Sequence, residues 1–155
     1  MDGFFRKLFP TNHLMISINH FVSYKALYLF YERMRNYKKY EVWRESHELV
    51  KFIYRHIAPC FPRDEKYELT SQMKRAAYSI PFNIVEGCGK NSDKDFTHFL
   101  DTALGSANEL EYCILLTSEL GFLNPEMYKL LNGKVGLIRA MLINLIKSFR
   151  QPKSS

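Results

Sequence analysis

The sequence has few of the residues that interrupt regular structure, with only seven glycines and six prolines in 155 residues. Turns are therefore few, and long elements are expected between them. Hydrophobic residues make up 46% and charged residues 25%, as in average soluble globular proteins. This composition excludes a disordered, collagen-like or disulfide-stapled chain. The length fits one domain, or one domain with a short appendage.

Cysteine is also scarce and has no metal-binding or disulfide pattern. The three residues, Cys60, Cys88 and Cys113, are odd in number and widely spaced, without a C-x-x-C motif or a nearby histidine cluster. We interpret them as reduced thiols packed as small hydrophobic side chains. The sequence therefore predicts a cytoplasmic protein with no metal and no cofactor.

The common catalytic motifs are missing. There is no glycine-rich phosphate loop after a strand, no G-x-S-x-G and no EF-hand loop. His47-Glu48 starts a zincin-like motif, but the second histidine would fall at Lys51. Glu109 and Glu111 are two residues apart and lie on different faces of a helix, so they form no acid–base pair. We predict that the protein is not an enzyme.

No convincing secretory signal precedes the helical region. The most apolar early stretch, residues 14 to 31, contains His20 and Lys25 and makes a poor membrane span. An interfacial amphipathic segment is one interpretation of it. We favour another, in which residues 1–33 form an N-terminal extension outside the folded unit. No membrane partner is predicted.

From residue 42 onward, apolar side chains recur every three and four positions, which is typical of helices. The first helix is predicted to end at Pro59 and Pro62. The second is predicted over residues 66 to 86, with a kink at Pro81. Gly87 and Gly89 would then end it in the left-handed conformation.

Two further helices follow. Ser92 or Asp93 caps the third, which continues to Leu120 before Gly121. Asn124-Pro125-Glu126 starts the fourth, with a cap, a proline at the first position and an acid near the positive end of the dipole. The sequence therefore predicts an all-α fold, an antiparallel up-down-up-down four-helix bundle over residues 34–151 with a tail at 152–155.

The third helix has a run of small residues, Ala103, Gly105, Ser106 and Ala107. A glycine inside a helix costs about 1 kcal/mol relative to alanine. We expect the close approach of another helix at Gly105 to offset this cost.

The second helix has a polar stripe at spacings that place its members on one face. One interpretation is a ligand-binding ladder. The other, which we favour, is structural, with Arg75 and its neighbours satisfying helix ends or crossing a subunit interface. The stripe consists of Ser71, Arg75, Ser79, Asn83 and Glu86.

Basic charge is concentrated at the end of the chain. The net charge is +6, and residues 127 to 155 contain basic side chains but no Asp or Glu. On a wheel of about 100° per residue, four of these side chains form a strip along the fourth helix, whereas Lys134 points elsewhere. We predict that this strip binds phosphates without reading bases; a solvated basic face is an equally weighted alternative. The strip consists of Lys129, Arg139, Lys147 and Arg150.

The apolar arc of the fourth helix spans roughly 180°, wider than the stripe of little over 100° that one bundle core needs. Leu130 and Leu137 lie at the edge of this arc. We predict that another subunit covers the surplus.

Several short motifs together identify a resemblance. They are YEVW at 40–43, Phe61-Pro62 with Tyr67, LTSQMKRAAYSIP at 69–81, NIVEG at 83–87, LGS at 104–106 and ELE at 109–111. Over about residues 34 to 150, the chain resembles the four-helix bundle family encoded in intervening sequences of bacterial 23S ribosomal RNA genes. It is also similar to the accessory variability protein of diversity-generating retroelements. Typical members begin near Met34, so residues 1–33 depart from the pattern.

The resemblance implies an up-down bundle that assembles as a barrel-shaped homopentamer, with no enzymatic activity. It also implies binding to RNA or DNA, or to a reverse transcriptase, through a basic surface. Our first hypothesis is therefore a non-enzymatic homo-oligomeric module that associates with nucleic acid or a nucleic-acid enzyme. The second is an oligomeric structural protein without a nucleic-acid role.

Overall fold

The computed structural model describes residues 34–151, and within them it contains helices and connections but no strand. The prediction of an all-α fold with four helices is confirmed. The predicted extension at 1–33 and tail at 152–155 lie outside the described residues. The four helices are α1 (Glu41–Phe52), α2 (Leu69–Cys88), α3 (Asp93–Glu119) and α4 (Pro125–Arg150).

The starts of α3 and α4 are fixed by the caps that the sequence predicts. Ser92 Oγ accepts a hydrogen bond of 3.0 Å from the backbone N–H of Asp95. Asn124 Oδ1 accepts one of 2.8 Å from the N–H of Met127. Each cap satisfies an amide of the first turn that has no partner inside the helix. Between the two helices, Gly121 has a φ of 77°, the left-handed conformation that favours glycine.

The first helix does not continue regularly to its prolines. Beyond Phe52 it widens into a π-helical turn, Ile53–Ile57, and then tightens into a 3-10 turn, Ala58–Cys60. Ile53 and Ile57 are both fully buried. Apolar spacing therefore predicted the buried side of this segment correctly, but it does not distinguish a π turn from an α turn.

The second helix begins later and ends differently from the prediction. A 3-10 turn, Arg63–Tyr67, precedes it, and α2 continues through Pro81 to Cys88. The kink at Pro81 stays a prediction. The left-handed glycine stop is wrong, because Gly89 has a φ of −77° and Gly87 lies inside the helix. Gly87 is needed for packing, since an added Cβ there would lie 2.8 Å from the Cβ of Phe99.

Contacts between helices define the direction of two neighbouring pairs. Arg75 in the first half of α2 pairs with Glu109 in the second half of α3, whereas Gly87 near the end of α2 packs on Phe99 near the start of α3. These two helices therefore run in opposite directions. The same holds for α3 and α4, which are joined by the pair Asp101–Arg150 and the pair Glu111–Arg139. The complete up-down-up-down order stays a prediction.

The core lies between the four helices and consists mainly of aliphatic side chains, with two buried phenylalanine rings, Phe61 and Phe96. Its removal from water is the main stabilising contribution to the fold. Fully buried members from each helix or its continuation include Ile53, Ile57, Met73, Ile80, Phe96, Leu110, Ile138 and Leu142.

Arg35 ties the segment before α1 to the bundle. Its Nη1 donates a hydrogen bond of 2.8 Å to the carbonyl oxygen of Lys90, and its Nη2 pairs with Asp93. The guanidinium carbon lies 4.7 Å from the ring centroid of Phe96 and 5.8 Å from that of Phe149. One side chain thus joins the N-terminal segment, the α2–α3 link and the last turn of α4.

The cysteines differ from one another in their surroundings. Cys88 and Cys113 are buried as predicted, and burial raises the pKa of the Cys88 thiol to about 11. Burial and, after it, the nearby Glu109 raise the pKa of Cys113. The prediction that Cys60 is packed in the interior is wrong. Cys60 is exposed, and its thiol donates a hydrogen bond to the carbonyl oxygen of His56.

Candidate functional site

The predicted basic strip on α4 is partly neutralised by acids of α3. Nη1 of Arg139 donates to both carboxylate oxygens of Glu111, at 2.6 and 2.7 Å, and Arg150 pairs with Asp101. The Arg139–Glu111 pair is partly buried. The absence of acids from α4 after Glu126 is therefore an incomplete guide to the charge of this surface, because the partners come from another helix.

Two members of the strip keep an unpaired charge. Lys129 and Lys147 are exposed, and neither has an ion-pair partner among residues 34–151. They lie on one side of α4, about 27 Å apart at 1.5 Å per residue. The strip therefore consists of two widely separated lysines without an ion-pair partner and two arginines, Arg139 and Arg150, that are held in ion pairs.

The polar stripe on α2 is largely bonded within the subunit. Nη2 of Arg75 pairs with Glu109 of α3 at 2.5 Å, and its Nε donates to Gln72. Asn83 Nδ2 donates to the carbonyl oxygen of Ser79 at 2.8 Å. Glu86 pairs with Lys90 at 3.7 Å, and Ser71 is exposed. These contacts favour the structural interpretation; a role across a subunit interface stays a prediction.

Among the small residues of α3, Gly105 does not receive another helix of the same subunit. A Cβ added at Gly105 would find no atom within 4 Å, whereas Ala103 and Ala107 are buried in the core. The expected close approach at Gly105 is therefore wrong for the described part of the chain. Gly87, which sequence analysis assigned to a helix stop, is where the close approach occurs.

Leu130 and Leu137, the apolar side chains at the edge of the α4 arc, lie outside the core of the subunit. The exposed fraction is 44% for Leu130 and 49% for Leu137. Leu131 and Ile138, their direct neighbours in sequence, are buried. Coverage of the exposed pair by another subunit stays a prediction.

Sequence analysis missed a second surface, formed by α1 and α2. The rings of Trp43 and His47 stack at a centroid distance of 5.1 Å and an interplanar angle of 10°. Nζ of Lys74 lies 5.1 Å from the centroid of the Tyr54 ring. The apolar periodicity of α1 contained the signal, because Trp43 and Tyr54 fall at the edge of its buried stripe. Trp43 is half-buried against the core, whereas Tyr54 is 46% exposed.

Neither a metal cluster nor a membrane span is found in the described part. No group of three or more His, Cys, Asp or Glu side chains in residues 34–151 could hold a metal ion. Over the same residues, no helix combines the length and the hydropathy that crossing a bilayer requires.

The fold and the sequence have counterparts among known proteins. The family described as 23S rRNA-intervening sequence protein matches residues 38–144. A crystal structure of a protein of unknown function from the S23 ribosomal protein family of Bacteroides thetaiotaomicron VPI-5482 is 29% identical, with a TM-score of 0.64. The match covers 68% of this chain and 95% of that one. No curated protein matches. The family match covers most of the bundle, so the chain belongs to the 23S rRNA-intervening sequence protein family.

Proposed function

We propose that the protein is a non-enzymatic, homo-oligomeric module that binds nucleic acid through basic surfaces. The observation that carries the proposal is the pair of exposed lysines on α4, Lys129 and Lys147, which lack a carboxylate partner among residues 34–151. Lysines of this kind contact phosphates and release counterions, without reading base sequence.

Assembly is the second part of the proposal. One subunit offers a weak phosphate site, but a symmetric oligomer repeats it, and linked sites raise the overall affinity without new contacts. The exposed pair Leu130 and Leu137 supplies apolar surface for subunit contacts. The family resemblance points to five subunits.

The binding experiment uses fluorescence anisotropy of labelled RNA and DNA with the full chain, between about 50 and 200 mM salt. We expect little sequence preference and a steep loss of affinity with salt. The double variant Lys129→Gln, Lys147→Gln is expected to have a shallower salt dependence while the oligomer stays intact. Absence of binding at the lowest salt would overturn the nucleic-acid proposal.

A structural oligomer without a nucleic-acid role is the second candidate. The pairs Arg139–Glu111 and Arg150–Asp101 favour it, because the fold itself uses these cations. In that case the protein sediments as an oligomer but leaves the anisotropy unchanged. A reverse transcriptase, which the retroelement resemblance implies as a partner, is a separate candidate and is tested by co-purification with the enzyme.

A further inference from the structure

Helix α1 separates aromatic and acidic side chains on opposite sides. On a wheel of about 100° per residue, Trp43 and His47 fall within about 40° of each other, and Tyr54 follows in the π-helical turn just beyond α1. Glu41, Glu45 and Glu48 fall on the other side of the helix. The ring-bearing side faces α2, because Lys74 of α2 lies over the ring of Tyr54.

Helix α2 continues the same surface. Tyr78 and Phe82 are one turn apart, with ring centroids 5.3 Å from each other. Phe82 is 64% exposed, a large fraction for a phenylalanine. The sole acid of α2, Glu86, lies one turn beyond Phe82 and pairs with Lys90 at 3.7 Å. We call the surface made by Trp43, His47, Tyr54, Tyr78 and Phe82 the aromatic face.

The two helices lie side by side along this face. Lys74 near the start of α2 contacts Tyr54 just beyond α1. At the other end, Arg35 before α1 donates a hydrogen bond of 2.8 Å to the carbonyl oxygen of Lys90, two residues after the end of α2. With α1 and α2 antiparallel, as the sequence predicts, Tyr78 and Phe82 lie beside the middle of α1.

Cations surround the aromatic face. Lys74 lies at one end, and at the other Lys38 lies 5.9 Å from the ring of Tyr37, which packs edge-on to Trp43 at 4.8 Å. Lys38, Lys39 and Arg44 are exposed, and none of them pairs with a carboxylate in residues 34–151. The surface thus combines open rings with positive charge, and the acid next to Phe82, Glu86, is paired with Lys90.

We propose that the aromatic face binds single-stranded nucleic acid, with bases stacked on exposed rings and phosphates held by the surrounding cations. Stacking on aromatic side chains together with a basic surface is the usual chemistry of single-strand binding, and it tolerates any base sequence. A paired duplex keeps its bases stacked on one another and offers no free ring. The inference rests on the proposed function and adds a base-stacking contact on α1 and α2 to the phosphate contacts of α4.

Trp43 is the single tryptophan of the chain, so tryptophan fluorescence reports on binding at the aromatic face. Unlabelled single-stranded RNA and DNA oligomers of mixed sequence are titrated into the full chain at about 50 mM salt. We expect quenching of Trp43 fluorescence by both single strands and much weaker quenching by the matching duplexes. A difference between RNA and DNA shows whether the 2′-hydroxyl contributes.

Variants of residues outside the buried core test the surface without disturbing the core. Phe82→Ala is expected to weaken single-strand binding about tenfold, and Lys74→Gln to lower the salt slope by about 0.7. Tyr112→Ala is the matched control, because Tyr112 of α3 is 63% exposed and lies away from the aromatic face. Lys94→Gln, at the start of α3, is the control for charge. Thermal midpoints and sedimentation establish that each variant keeps its fold and its assembly.

The possible results separate this inference from the proposed function. If the full chain binds but Phe82→Ala and Lys74→Gln bind like the controls, the aromatic face is not the site, although nucleic-acid binding stands. If Phe82→Ala dissociates the oligomer, the face is a subunit interface and the inference is overturned. If no nucleic acid binds at low salt, both proposals fail.

Discussion

Gly87 of α2 and Phe99 of α3 approach so closely that a Cβ added at Gly87 would lie 2.8 Å from the Cβ of Phe99 and 3.0 Å from the ring of Phe96. The first of these neighbours is a Cβ, fixed to its backbone, and it cannot rotate away. The absence of a side chain at Gly87 therefore sets the distance between the two helices.

Gly87→Ala is expected to destabilise the fold by about 1–3 kcal/mol, because overpacking exceeds the gain in helix propensity. Gly105→Ala is the matched control, since its Cβ would meet no atom within 4 Å. Gly105→Ala should therefore stabilise the fold by up to about 1 kcal/mol, because alanine has the higher helix propensity. Denaturant unfolding of both variants measures the difference. Destabilisation by Gly105→Ala would mean that another subunit packs at that position.

Freeing Arg139 from Glu111 should strengthen nucleic-acid binding. Glu111→Gln removes the negative charge that faces Arg139 on the α4 strip. One more phosphate contact would make the salt slope steeper by about 0.7–0.9. Glu45→Gln makes the same change in net charge on α1, away from the strip, and serves as the control. Equal effects of the two variants in the anisotropy titration would indicate a general charge effect and contradict this prediction.

Charged substitutions at the exposed leucines of α4 should weaken assembly before they unfold the subunit. Leu130→Glu and Leu137→Glu place charge where the apolar surplus is exposed, and burial of an unpaired charge in an interface is costly. Leu120→Glu, at a site that is 51% exposed after α3, is the control. Sedimentation velocity checks the prediction at micromolar concentration. A stable monomer of the unmodified chain would contradict it directly.

The three thiols should differ in reactivity in the folded protein. Exposed Cys60 is expected to react first with a thiol reagent at neutral pH, because buried Cys88 and Cys113 are shielded and stay protonated. The pKa of Cys88 is raised to about 11, so folding favours the protonated thiol. This contribution to stability is complete below the pKa of the unfolded thiol and is lost as pH rises towards 11. Cys88→Ala should make the alkaline loss of stability less steep in urea titrations.

Local signals in the sequence were sufficient for the starts of α3 and α4 and for the turn between these two helices. The caps at Ser92 and Asn124 and the left-handed Gly121 depend on residues within one turn, so a single stretch of sequence contains all the information. The structural roles of Gly87 and Gly105 could not be predicted in this way. Whether a helical glycine ends a helix or admits a neighbour depends on the facing helix.

The pairing of charges at the candidate sites also could not be predicted from local sequence. The sequence assigns Lys129 and Arg139 alike to the basic strip of α4. In the structure, Arg139 faces a carboxylate on α3 and Lys129 does not. That contact depends on the register between helices, which apolar periodicity does not determine. The cationic surroundings of the aromatic face likewise come from two helices and the segment before α1.

The last prediction concerns the boundary at the start of the bundle. A chain beginning at Met34 is expected to fold and oligomerise like the full chain, because Arg35 and its contacts with Lys90, Asp93 and Phe96 are retained. Arg35→Ala in the full chain should instead lower stability by about 1–2 kcal/mol, since it removes a hydrogen bond, an ion pair and a cation–π contact. Lys39→Ala, at an exposed site in the same segment, is the control. Thermal unfolding and sedimentation compare the variants with the full chain. A large drop in midpoint or loss of the oligomer in the chain from Met34 would show that residues 1–33 contribute to the folded unit.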